Sequence, residues 1–221
     1  MMAKFAGMCS GKVLAATALA SVILAGLVGV AQGSFAPALE APRTTDASEL
    51  VLTLDPAASK VHWTLDTSLH AVHGTFALKR GTLRIDTASG KAGGEIVADA
   101  ASGESGNSSR DKRMHKEVLE SPRYTEVTFR PERLDGTPPV QLPANLSAQL
   151  RGVLALHGVD HQLTVPVRAE LAGGHWKGTS TFCVPYVAWG LKNPSNFLLK
   201  AEPVVTIELQ LAGTIENQKT P

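Results

Sequence analysis

Three groups of side chains in this 221-residue sequence have the types and spacing for chemistry. The first is Arg110, Lys112 and Arg113, inside the charged stretch Asn107–Ser121. Guanidinium and ammonium donors placed together suit a phosphate, so these residues are candidates for holding the headgroup of an amphiphile. Asp111, beside Arg110, supplies the alternative: charge-assisted hydrogen bonds that only tie this segment to the body of the fold. The second group is the histidines. His70 and His73 are three apart, which puts them on opposite faces of a regular strand, and His157 and His161 flank a Gly-containing turn across which they could converge. Each pair offers two ligands and no third Cys, His or carboxylate at metal spacing, so turn or exterior histidines are expected and no metal site. The third is Gly103-Glu104-Ser105-Gly106-Asn107. It has neither the Gly-x-Ser-x-Gly elbow between strand and helix nor the Lys-Ser/Thr end of a phosphate loop, and reads as a loop entering a helix. Glu104 and the neighbouring Asp99 stand as isolated carboxylates. No nucleophile sits with a base and no cofactor cradle is recognisable, so the expectation is a protein that is not an enzyme.

The chain that must position these groups is electrostatically neutral, with 21 Lys+Arg against 20 Asp+Glu. No basic excess is available to neutralise a phosphate backbone, which argues against nucleic acid as a partner. Lys4 and Lys12 precede an uncharged run from Val13 to Val30, and Gly29-Val30-Ala31 has the small-x-small form of a cleavage site. Residues 1–31 therefore read as an export signal, with an uncleaved membrane anchor as the competing reading, since the run is near the lower limit for a span. Cleavage would leave no membrane span, 19 basic against 20 acidic residues, and Cys183 as a lone thiol packed as a small hydrophobe. Periplasmic or other exported localisation follows. Residues 32–48, rich in Ala with Pro and Thr and without periodicity, read as a flexible linker.

From Glu49 the signal is alternation of period two: Leu50, Leu52 and Leu54; Val61, Trp63 and Leu65; Leu83 and Ile85; Leu163 through Leu171; and Val205 through Ile215. One apolar and one polar face per strand belong to an antiparallel sheet around a single core. Turn signals at Lys79-Arg80-Gly81, Ala88-Ser89-Gly90-Lys91, Leu134-Asp135-Gly136, His157-Gly158 and Ala172-Gly173-Gly174 space the strands as hairpins. The fold class is all-β: an up-and-down barrel of about eight strands over residues 49–216, with one short helix over an end and a tail at 217–221. Ser108 or Ser109 can cap that helix, and Met114, Val118 and Leu119 form its apolar face. With aromatics at 5% and hydrophobics at 43%, an aliphatic lining favours a cavity, although a filled barrel would alternate in the same way.

Ser109-Arg110-Asp111-Lys112-Arg113-Met114-His115, then Leu119 through Tyr124 and Val127-Thr128-Phe129, with His73-Gly74-Thr75-Phe76 upstream and Gly152 through Val159 downstream, resemble the YceI-like family. The resemblance runs from about Leu52 to Ile215 and implies a lipocalin-like barrel, commonly exported, holding a polyisoprenoid or other long-chain amphiphile. Thr125 stands where the family often has Pro, and a histidine common before the Gly-Thr-Phe motif has no clear counterpart near Thr67 or Ser68. Val184–Pro194 replaces a shorter family turn and is expected to form a lip at one barrel mouth.

The expected function is a non-catalytic, exported lipid-binding protein that takes a polyisoprenoid or quinone-like lipid and needs no other cofactor. Its candidate ligand contacts are Trp63, Leu65, Phe76, Phe129, Leu154, Leu156 and Phe182, with Val205 beside them, Met114 at the entrance and Arg110 toward a headgroup. The alternatives are an envelope stress or interaction protein with a filled barrel, whose loop over 184–196 docks a partner through Tyr186 and Trp189 if these are exposed, and a metal- or lipid-dependent enzyme. A homodimer is compatible with this reading, though no exposed apolar stripe demands one.

Overall fold

The computed structural model describes residues 49–139 and 141–218; the segments read as export signal and linker lie outside the described residues. Strands are β1 (Glu49–Leu54), β2 (Lys60–Leu65), β3 (Val72–Phe76), β4 (Leu78–Asp86), β5 (Ala92–Asp99), β6 (Glu126–Asp135), β7 (Ala144–Leu156), β8 (Val159–Ala172), β9 (His175–Val184) and β10 (Val205–Gln218). Between β5 and β6 lie a single 3-10 turn, Ala100–Ser102, and helix α1 (Ser108–Arg113), which runs into a π-helical turn, Met114–Val118. Among the described residues no helix is long and apolar enough to cross a membrane.

Each strand pairs antiparallel with its neighbours in the order β1-β4-β5-β6-β7-β8-β9-β10, and β1 pairs back onto β10 to close the sheet. The hairpin β2-β3 continues the same wall: β10 pairs with β1 through Gly213–Gln218 and with β2 through Thr206–Gln210. β1 with β2, and β3 with β4, are thus two long strands each interrupted once, so ten segments build an eight-stranded up-and-down barrel. The alternation read from the sequence becomes the inner face, where Leu50, Leu52, Leu54, Leu83, Ile85, Val165 and Leu171 share one core. Closure removes the edges an open sheet would expose.

Local chemistry explains the hairpins. His157-Gly158 and Gly173-Gly174 are two-residue loops with positive φ at every position (54°, 77°, 60° and 75°), the type I′ geometry whose twist matches the strands it joins. Two sequence signals resolve differently. Lys79-Arg80-Gly81 is no turn but lies inside β4, where a register shift between Leu78 and Arg80 absorbs the irregularity as a bulge. The helix is capped by Asn107, whose Oδ1 accepts from the Arg110 backbone N–H at 3.0 Å, and not by Ser108 or Ser109. Cys183 lies half-buried near the end of β9 and is not free.

The β8–β9 ladder is short for the length of its two strands. It stops at Arg168↔Thr179, although both strands run on. The pair closing a two-residue hairpin is hydrogen-bonded, and such pairs recur every second residue. Counting from Ala172↔His175 puts Pro166, opposite Thr181, on a position that should donate an N–H toward β9, which proline lacks. Above this point the two strands part, and the loop after β9 fills the gap: Trp189 stacks on His161 of β8 with centroids 4.1 Å apart and planes at 4°.

Candidate functional site

The inner face encloses a cavity of about 620 Å³ with an almost wholly apolar lining. This lies within the range of small-molecule sites. Trp63 and Leu65 of β2, Phe76 of β3 and Phe129 of β6 line it, as do Leu154 and Leu156 of β7, Phe182 of β9 and Val205 of β10. Met114 of the π-turn and Arg110 of α1 line it as well, so every residue singled out for ligand contact borders one space. The sequence did not single out Ile207, Leu209 and Leu211 of β10 as contacts, although their alternation was visible; they line the same space. The barrel is therefore not filled.

The two ends of the barrel differ. At the end bearing the β4–β5, β6–β7 and β8–β9 turns, Trp176 is 3% exposed and its Nε1 donates to the Thr53 carbonyl at 3.2 Å. Gly213 is required there, since a Cβ would sit 1.9 Å from Thr53 O and 2.7 Å from Trp176 Nε1. At the other end the cavity reaches the surface between Ser109, Arg110 and Arg113 of α1 and the loops carrying Thr67, His70, Pro194 and Asn196.

The helix at this mouth is held by the motifs that suggested the family. Arg110 donates from Nε to Ser105 Oγ at 2.7 Å and from Nη2 to the Ser105 carbonyl at 2.9 Å, and Ser105 Oγ in turn donates to Asp111. Asp111 therefore anchors through Ser105, within the loop that enters the helix. That loop is joined to the wall by two backbone bonds between Glu104 and Thr75. The approach explains Gly74, where a Cβ would stand 2.2 Å from Glu104 O and 2.3 Å from the Trp63 ring. His115, unassigned by the sequence reading, clamps the far side. Its Nε2 lies 2.8 Å from the Gly103 carbonyl and must be the donor, leaving Nδ1 to accept from the buried Ser121 hydroxyl at 3.0 Å. Leu119 N bonds Met114 O at 2.9 Å, an i to i−5 bond. This extra residue per turn lets Met114, Val118 and Leu119 all border the cavity. Downstream, Tyr124 packs on His157 at 4.3 Å and over Gly158, whose absent Cβ makes room for the ring.

Arg113 and Lys192 share Glu117, at 3.6 and 2.7 Å, and hold its carboxyl below the usual carboxylate range, Lys192 chiefly. Arg110 Nη1 takes part in neither bond to Ser105, and Arg110 borders the cavity. The docking alternative is corrected at Tyr186, which is buried, donates to the Glu202 carbonyl at 2.9 Å, and is pushed up to about 12 by burial first and by Glu202 second. Trp189 is half-buried against His161. Of the histidine pairs, His73 Nδ1 meets Thr64 Oγ1 at 2.9 Å, and His157 Nε2 lies 3.5 Å from Glu120 Oε1. No group of three or more metal-ligating side chains occurs among the described residues.

Two solved structures share the fold. Burkholderia cenocepacia BcnA superposes with a TM-score of 0.60 at 18% identity, covering 73% of this chain and 99% of that one. A protein from Saccharophagus degradans, described as a polyisoprenoid binding domain implicated in plant cell wall breakdown, gives 0.57 at 17% identity, covering 76% of this chain and 98% of that one. No curated protein matches the chain. The YceI-like domain matches residues 52–212, from the second residue after Leu50 in β1 to the middle of β10, and with an eight-stranded barrel around one apolar cavity beneath it, the chain belongs to the YceI-like family.

Proposed function

We propose that this protein is a non-catalytic carrier that shelters the hydrocarbon tail of an amphiphile, an isoprenoid or quinone-like lipid, inside the barrel. The observation that carries this reading is the enclosed apolar cavity of about 620 Å³, open at one end beside Arg110 and Arg113. Burial of each methylene contributes about 0.8 kcal/mol, so a tail of roughly a dozen carbons reaches micromolar affinity without further polar contacts. The basic rim would take a phosphate or carbonyl headgroup, and the polyisoprenoid-binding description of the Saccharophagus degradans protein supports a prenyl tail over a straight one. Export follows from residues 1–31, with the barrel acting in the periplasm or beyond.

Organic extraction and native mass spectrometry of protein purified from its own host test the reading. One long-chain lipid should leave with the protein, and a Leu154→Trp chain, with the cavity partly filled, should retain its melting transition while carrying several-fold less. A protein that emerges empty and refuses prenyl and acyl probes alike overturns the carrier. Intact mass of the same sample locates the N-terminus; a chain still beginning at Met1 overturns cleavage.

A further inference from the structure

Among the described residues the large hydrophobic side chains left exposed are Leu69, Val159, Phe197 and Leu198. All four lie at the mouth end of the barrel. Leu69 sits in the loop joining β2 to β3, Val159 follows the His157-Gly158 turn, and Phe197 and Leu198 belong to the loop between β9 and β10. Their exposure is nearly complete at Phe197, 98%, and high at Leu198 and Leu69, 81% and 70%. In a water-facing protein single exposed apolar residues are ordinary, but their gathering at one pole is not.

The backbone beneath them is built to present them. Asn196 Oδ1 accepts from the Leu198 and Leu199 N–H groups at 2.9 and 2.7 Å, which leaves Phe197 and Leu198 at the crest of a fixed turn. Thr67 Oγ1 organises the other loop in the same way, accepting from Leu69 N and His70 N. The loops are stitched together: Ser68 N donates to Lys200 O at 2.8 Å, Lys200 N donates to Ser68 Oγ at 3.2 Å, and Thr67 pairs with Ala201. Across the mouth stands the helical segment 108–118, with Arg110, Lys112, Arg113 and Lys116 against Asp111 and Glu117, a local charge of +2 in an otherwise balanced chain. Apolar crests beside a basic flank form the pattern that seats a protein on an anionic lipid surface, the crests entering the acyl boundary and the bases meeting the headgroups.

We infer that the mouth end is a membrane-docking surface: Leu69, Phe197 and Leu198 insert into the interface of a bilayer containing anionic phospholipid, while Lys112 and its neighbours face the headgroups. The cavity then opens onto the membrane, so a tail passes between bilayer and barrel without crossing water. This last consequence rests on the carrier reading; the docking itself does not.

Hydrogen exchange on the full chain reads the contact locally, whatever the N-terminal segment does. With vesicles of phosphatidylcholine and phosphatidylglycerol, peptides covering 66–71 and 195–202 should exchange about tenfold more slowly than without vesicles, and phosphatidylcholine alone should protect them less. The variant Leu69→Ser/Phe197→Ser/Leu198→Ser, altered only at exposed positions, should keep its melting temperature and lose this protection. Unchanged exchange in those peptides overturns the proposal, whether or not the chain sediments with the vesicles. So does protection that rises with protein concentration in the absence of lipid, which would assign the crests to a second copy. Crest protection without lipid uptake leaves docking standing and removes the carrier, and uptake with unprotected crests does the reverse.

Discussion

The ladder between β7 and β8 runs through thirteen register pairs, whereas that between β8 and β9 runs through five, although β8 serves both and β9 continues for five residues past the last pair. Both hairpin turns have type I′ geometry, and the one with a non-glycine at positive φ, His157, joins the longer ladder, so the turns do not account for the difference. What separates the two seams is one imino acid. Pro166 is harmless toward β7, opposite Gln149, and disabling toward β9, where the alternation requires a donor. The wall parts there, and side chains take over from backbone bonds: Trp189 against His161, with Tyr186 and Leu191 buried in the cluster that includes Leu154, Leu156 and Val184. One seam is sealed by geometry and the other by packing, which is the weaker and more mobile way to close a barrel.

The comparison breaks hardest where all closure is geometric. At the sealed end, Trp176→Ala should cost about 3–5 kcal/mol by opening a cavity and leaving the Thr53 carbonyl without its donor. Thermal denaturation should show a drop of about 10 °C or more. Tyr186 is the next largest. Its pKa is raised in the folded state, from 10.0 to about 12, so the stability it contributes is fully present below pH 10 and lost as the pH rises from there through 12. Wild-type protein should lose on the order of 2–3 kcal/mol across that window, and Tyr186→Phe, already weaker at neutral pH by about 1 kcal/mol, should show a flatter alkaline limb in urea titrations. Trp189→Ala should cost about 0.5–1.5 kcal/mol. Its clearer sign is faster hydrogen exchange in 180–184 with 146–155 unchanged; equal acceleration on both sides of β8 would contradict a packed seam. The smallest change in stability is expected of Pro166→Thr, where a recovered N–H offsets the greater freedom of the unfolded chain to within about 1 kcal/mol. Exchange at 181–183 should nevertheless slow, and an unaltered rate there would mean that the missing donor is not what parts β8 from β9.

Much of this was legible beforehand for a physical reason. Alternation in a closed antiparallel sheet is dictated by side-chain period alone, so the sequence is enough to put Trp63, Leu65, Phe76, Leu154 and Phe182 on one inner wall. Gly74 stands in a family motif and Gly158 in a turn signal, and only the structure supplies the groups that approach them: Glu104 O at Gly74 and the Tyr124 ring at Gly158. Other features were hidden. Nothing local distinguishes the bulge in Lys79-Arg80-Gly81 from a turn, because register against β5 decides it. Cap preference ranks Asn107 with Ser108 and Ser109, so sequence alone does not choose Asn107 as the cap. Tyr186 reads as an anchor in a polar loop until the Glu202 carbonyl is found beside its hydroxyl.

The sequence by itself determined the class of the fold, the inward-facing residues and the motif set that places the chain in its family, since these depend on period, turn chemistry and order along the chain. Tertiary structure alone decided that the inward side chains leave about 620 Å³ between them, that the barrel is sealed at Trp176 and open at Arg110, and that Leu69, Phe197 and Leu198 crown the open end. Those outcomes depend on distances between strands far apart in sequence, and alternation is the same for a filled barrel and a hollow one.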